Sequence, residues 1–184
     1  MNPVYDKTIV LIGARGSGKS SVGRLLAEKC GFSFIDTDDL ICNRAKAPIS
    51  TIVSQQGWPY LRTLEERTLS EVLGMRSCVV ATGGGAVLHE QVFSRHRQRT
   101  WVVWLAADPT VLIERIQRDS RSSQNRPSLT GADIVTEFGE IYAARKPLYK
   151  RLSHLTINTA YLDREQIVTD ILSVVPVGRT GTAQ

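Results

Sequence analysis

The sequence predicts an α/β domain built on a parallel sheet. Three observations point there. Short β-branched runs alternate with segments of helical period, the runs are nearly continuous in apolar residues, and a glycine-rich loop joins the first run to the first helix. Continuously apolar strands suit a parallel sheet covered on both faces, and strand–helix alternation is satisfied by right-handed crossovers.

Five runs read as strands: KTIVLIG (7–13), FSFID (32–36), CVVAT (78–82), TWVVWLA (100–106) and HLTIN (154–158). Helical spacing recurs near 19–29, 48–56, 60–74, 86–97, 109–118, 131–152 and 163–174. At 184 residues and 42% hydrophobic content, one domain with a proper core is expected over 1–176. The polar stretch RDSRSSQN (118–125) is expected to be mobile, and VGRTGTAQ (177–184) a disordered tail. No apolar run approaches a membrane span, and MNPVYDK has no secretory-signal pattern, so a cytoplasmic protein without a membrane partner is expected. Cys30, Cys42 and Cys78 lack CxxC spacing and read as reduced thiols.

The net charge of +5 is spread over RHRQR, RIQRDSRSSQNRP and RKPLYKR. Such runs are most often solvated faces. No aromatic platform or basic recognition helix accompanies them, so nucleic acid is not expected as a partner.

The loop IGARGSGKSS (12–21) carries the strongest chemical signal. Gly13, four residues, then Gly18, Lys19 and Ser20 make the GxxxxGK[ST] phosphate loop in strand–loop–helix context. Its glycines let backbone N–H groups converge on phosphate oxygens at a helix N-terminus. Lys19 offers a point charge to the β- and γ-phosphates, and the Ser20 hydroxyl is placed for magnesium.

FIDTDDLI (34–41) follows one helix later, at the carboxyl end of the second run, where open parallel sheets bind ligands. In extended geometry Asp36 and Asp38 point to one side. One would serve the magnesium shell and the other would accept a hydrogen bond from an alcohol nucleophile; Asp39 reads as a helix cap or a solvated carboxylate. Four arginines remain ambiguous on spacing alone. Arg62 has Glu65 and Glu66 in ion-pair spacing, Arg115 lies on LIERIQR, Arg126 in NRPSL and Arg145 in ARKPLY. On spacing Arg62 reads as a surface ion pair, Arg126 and Arg145 are candidates for phosphoryl-charge stabilisation and Arg115 for base stacking, and composition and spacing lift none of them above a solvated cation. Gly83, Gly84 and Gly85 in ATGGGAV cost backbone entropy, so bare backbone is needed there for a corner, a close contact or a ligand.

Taken in order, GARGSGKSSVGRLLA, FIDTDDLI, LRTLEE, ATGGGAV, NRPSLTG and ARKPLY resemble the shikimate kinase family from about Lys7 to Val175. The resemblance implies a phosphate-loop kinase fold: a three-layer αβα sandwich with a five-stranded parallel sheet in the order 2-3-1-4-5 and a mobile lid. It also implies a core at about 7–47, 75–116 and 132–176, substrate-binding helices at about 48–74 and a lid at about 117–131.

The implied reaction moves the γ-phosphoryl group of ATP, with Mg2+, to the 3-hydroxyl of shikimate. The products are shikimate 3-phosphate and ADP, on the route to chorismate and the aromatic amino acids. Gly16, Ser17, Gly18, Lys19, Ser20 and Ser21 would hold ATP phosphates, with Ser20 and Asp36 at the metal. Asp38 would contact the substrate hydroxyls, Arg62 and Arg145 its carboxylate, and the backbone of Gly83–Gly85 its hydroxyl edge, Gly84 above all. Arg126 would belong to the lid, and Arg115 would lie against the adenine, near a loop that includes Ala160. Leu61 stands where relatives carry an aromatic residue before the arginine, with Trp58 nearby to compensate, and the lid reads RPSL in place of RPLL. A monomer is the simplest expectation. Gluconate-type kinases of the same architecture and a non-catalytic ATP switch are the rival readings. The first is disfavoured by the pair Arg62 and Arg145 with the triple glycine, and the second by the presence of the substrate-side carboxylate and the arginines.

Overall fold

The computed structural model describes residues 7–118 and 134–176. Its centre is a five-stranded, all-parallel sheet: β1 (Thr8–Ile12), β2 (Ser33–Asp36), β3 (Cys78–Ala81), β4 (Thr100–Ala106) and β5 (Leu155–Asn158), in the order β2-β3-β1-β4-β5. The order matches the expected one. Strand β1 lies between β3 and β4, with Leu11 opposite both Ala81 and Val103.

Alternate side chains of β1 enter different cores, which explains why its sequence is apolar throughout. Ile9 and Leu11 pack with α1 (Lys19–Cys30) and α7 (Arg164–Val174). Val10 and Ile12 pack with α3 (Ile49–Leu73), α4 (Glu90–His96) and α6 (Ile134–Leu152). The remaining helices are α2 (Thr37–Ala45) and α5 (Pro109–Arg118). No helix among the described residues is long and apolar enough to cross a membrane.

Two local expectations are corrected. The helical segments expected from spacing include none over 37–45, with Asp39 read as a helix cap, yet α2 begins at Thr37, because the Asp36 carboxylate caps it by accepting from the amides of Asp38 (3.0 Å) and Asp39 (3.4 Å). Asp38 therefore sits in a first helical turn and not in extended chain, and the cap is Asp36. Asp39 lies exposed, 3.6 Å from Arg24. The helices expected at 48–56 and 60–74 are both present as the two halves of α3, separated by a kink at Gly57 (φ 80°, ψ 168°), after which Pro59 opens the second. The segment 86–97 is a turn at Ala86–Leu88 followed by the short α4.

The helices α2 and α3 carry a small core of their own, in which Ile41, Ile49, Ile52 and Leu61 are buried and Trp58 packs at the side. Leu61 is fully buried there. The lid segment and Arg126 lie outside the described residues beyond Arg118, as does the tail 177–184.

Candidate active site

All five strands run the same way, so their carboxyl ends gather every loop with chemical content at one edge. The phosphate loop leaves β1 between its two neighbours. Gly13, Gly16 and Gly18 take φ of 148°, 78° and 88°, which side chains rarely adopt. Space also forbids a side chain at Gly13, since a Cβ would lie 2.6 Å from the Leu105 carbonyl of β4. Gly18 starts α1 with no side-chain cap and no acidic residue in the first turn, which leaves that helix end open to an anion. Lys19 is buried and curls back over the loop, donating to Ala14 O (2.8 Å) and Ser17 Oγ (3.3 Å). Ser21 Oγ donates to Gly18 O (2.9 Å), one turn back along the helix.

Beside the loop, Ser20 Oγ donates to Asp36 Oδ2 (2.6 Å), bringing the two expected metal residues together. The Asp36 carboxylate thus serves α2 with one oxygen and Ser20 with the other.

The glycine triplet continues β3 across the sheet edge. Thr82 fastens it by donating from N and Oγ1 to Leu11 O (3.1 and 3.0 Å). The Gly83 amide is taken by Thr37 Oγ1 (3.0 Å). Gly84 O accepts from Arg145 Nη1 (3.1 Å) and Tyr149 Oη (2.8 Å), both on α6. A Cβ on Gly85 would collide with Arg62 Nη1, which reaches over from α3. Two guanidiniums far apart in sequence therefore flank the same pair of glycines. Spacing could not reveal this, because it depends on α3 and α6 packing on one face of the sheet.

Arg62 also pairs with buried Glu65, one turn further along α3, and lies 5.3 Å from the Trp58 ring centre. The ion pair expected from spacing thus exists, but within the site and not on a solvated face. Glu65, Thr37 and Tyr149 are site residues that sequence reasoning did not single out. The ion-pair spacing of Glu65 with Arg62 is the one signal in the sequence that points to any of them.

Arg115 of α5 donates to Thr159 Oγ1 (3.2 Å) and Thr159 O (2.7 Å), which fixes it against the loop after β5. Together these elements border an open cleft of about 1270 Å³, whose lining includes Gly16, Lys19, Ser20, Asp38, Gly84 and Arg115. Loop and helix end suit phosphate, the Ser20–Asp36 pair suits a hard cation, and the carboxylate and guanidiniums beyond suit a hydroxylated acid.

Fold and site together define a phosphate-loop phosphotransferase of small molecules. Comparison with known proteins makes the class specific. The family model described as shikimate kinase matches residues 15–176. Shikimate kinase 2 of Photorhabdus laumondii is 39% identical over 170 residues, covering 92% of this chain and 96% of the relative. Shikimate kinase of Syntrophus aciditrophicus is 38% identical over 175 residues, covering 91% of this chain and 90% of the relative. Among solved structures, shikimate kinase from Acinetobacter baumannii in complex with shikimate superposes with a TM-score of 0.83 at 32% identity, over 91% of each chain. The chain belongs to the shikimate kinase family. Its activity is the family's phosphotransfer, which uses ATP.

Proposed function

We propose that this chain transfers the γ-phosphoryl group of ATP to the 3-hydroxyl of shikimate, with its residues in the following roles. The observation that carries the reading is the approach of Arg62 to Gly85 and of Arg145 to Gly84, the latter glycine lining the cleft together with the phosphate loop and Asp38. A carboxylate-bearing triol matches that set, since guanidinium recognises its acid and a carboxylate its alcohols. The A. baumannii relative, whose structure holds shikimate, supports the same acceptor.

The phosphate-loop amides from Gly16 to Ser21 and the Lys19 ammonium hold the nucleotide phosphates. Arg115, anchored at Thr159, borders the adenine. Asp38 accepts a hydrogen bond from the 3-hydroxyl, orients it towards the γ-phosphorus and takes its proton as the new O–P bond forms. Arg62 and Arg145 hold the acid end so that the hydroxyl meets the phosphate, and the Gly83–Gly85 backbone walls the ring. Arg126, the candidate for stabilising charge on the transferring phosphoryl group, lies outside the described residues.

The residues fit magnesium: Ser20 Oγ and Asp36 Oδ2 are hard oxygen donors beside the phosphate loop. Among the described residues no group of three or more His, Cys, Asp or Glu would cage a metal. That suits an ion held by one or two protein oxygens together with phosphates. Bound there, it would offset charge on the β- and γ-phosphates. The working unit is a monomeric single domain acting in the cytoplasm.

Arg62→Ala and Arg145→Ala test the acid-binding assignment. Each should weaken shikimate, read as KM, by ~2–5 kcal/mol with nucleotide affinity retained. An unchanged shikimate KM in both variants refutes it. Asp38→Asn should lower kcat by about 10²–10⁴-fold while ATP still binds; near-normal turnover would remove Asp38 from the mechanism.

A further inference from the structure

His89 is a buried titratable residue on the acceptor side that the mechanism does not use. It ends the turn after the glycine triplet, where its amide donates to Ala86 O (3.0 Å). Its side chain is only 10% exposed, and Nε2 lies 3.6 Å from Glu65 Oε2. Glu65 is 5% exposed, and the same Oε2 accepts from Arg62 Nη1. One buried carboxylate oxygen thus stands between an imidazole and the guanidinium that lies against Gly85.

Other charged and polar groups face this turn from the helices packed on it. From α6, Arg145 and Tyr149 donate to Gly84 O, and Arg151 holds Glu90, the residue after His89, through Nε (2.9 Å). From α3 come Arg62 and Glu65 themselves. Glu65 is the carboxylate that the histidine faces.

Two cations can therefore draw on one anion. With His89 neutral, the Glu65 charge offsets that of Arg62, so this pair adds little to the attraction that Arg145 offers an anion. With His89 protonated, the carboxylate is shared and the cluster carries a net positive charge. Arg62 is then freer to engage an acid, at short range and in a partly buried setting where screening is weak.

We propose that His89 is a positioning residue for the acceptor's acid group: through Glu65 it holds and biases Arg62, so that acceptor binding tightens when the imidazole is protonated. The proposal rests on the reading of Arg62 as an acid-binding residue. Binding and protonation are linked, so the acceptor must in turn favour the protonated imidazole.

The test is acceptor binding without nucleotide, which keeps phosphate titration out of the measurement. Trp58, beside Arg62, supplies a fluorescence signal. The wild-type Kd for shikimate should tighten about five-fold between pH 8 and pH 6, where a simple carboxylate stays ionised. His89→Gln should remove that dependence and bind at pH 6 about as weakly as the wild type does at pH 8. If His89→Gln keeps the wild-type slope, the proposal is overturned. Arg62→Ala separates the two readings: unchanged affinity there refutes the acid-binding role itself. Weakened affinity there with an intact slope in His89→Gln refutes only the role of His89. NMR titration of the wild-type imidazole needs no substitution. Shikimate must move the His89 titration to higher pH, and an unmoved titration would also overturn the proposal.

Discussion

Gly85 has ordinary helical dihedrals (φ −89°, ψ −8°), so its glycine is not required by backbone conformation. It is required by space, because the Arg62 guanidinium occupies the volume of a side chain. Gly83 similarly gives its amide to Thr37 and not to open space. With the Gly84 carbonyl taken by Arg145 and Tyr149, all three glycines have structural partners, which a reading centred on substrate contact does not anticipate. It follows that Gly85→Ala should fold normally but displace Arg62, raising the shikimate KM by roughly ten-fold, about 1.4 kcal/mol, with the ATP KM unchanged. An alanine variant with wild-type KM would show that Arg62 reaches the acceptor by another route, or not at all. The phosphate-loop residues were legible in sequence because their chemistry is local. Arg62 and Arg145 were legible only through the family resemblance and not from spacing, because a guanidinium's role depends on what faces it across the fold.

At the scale of elements, what the sequence hid was a cap. A strand ending in Asp-Thr-Asp-Asp reads as extended chain with two parallel carboxylates, whereas Asp36 starts a helix at once and Asp38 reaches the cleft from its first turn. Strand β5 shows a second local device. His154, just before it, accepts from the Val102 amide at Nδ1 (3.0 Å) and donates its own amide to Val102 O (2.8 Å), which joins β5 to β4. Only a neutral imidazole can accept that bond. Burial, then the charges of Arg97 and Lys7, push His154 below its ordinary value of 6.5. As pH falls, the unfolded chain therefore takes the proton first. The stability from this contact is full above about pH 6.5 and is lost as pH falls from there towards the folded-state value. Urea midpoints of the wild type should drop over that range, whereas His154→Gln, whose amide oxygen also accepts, should show a flatter profile. Equal slopes in the two proteins would exclude His154 as the source.

For the whole molecule, the sheet was legible because its apolar runs are continuous, and continuity has one simple cause: cover on both faces. The strand order brings the phosphate loop, the Asp36 cap and the glycine triplet to one edge, while α3 and α6 lay their arginines across it from one face. On the proposed reading the nucleotide phosphates lie at the phosphate loop and the acceptor's acid at these arginines, and that reading predicts the acceptor. The most direct measurement is ADP release from ATP and magnesium with shikimate, quinate, gluconate or a nucleoside monophosphate supplied as acceptor. Release with shikimate, and none above background with gluconate or nucleotides, is the predicted result. Faster release with gluconate or a nucleoside monophosphate than with shikimate would contradict it.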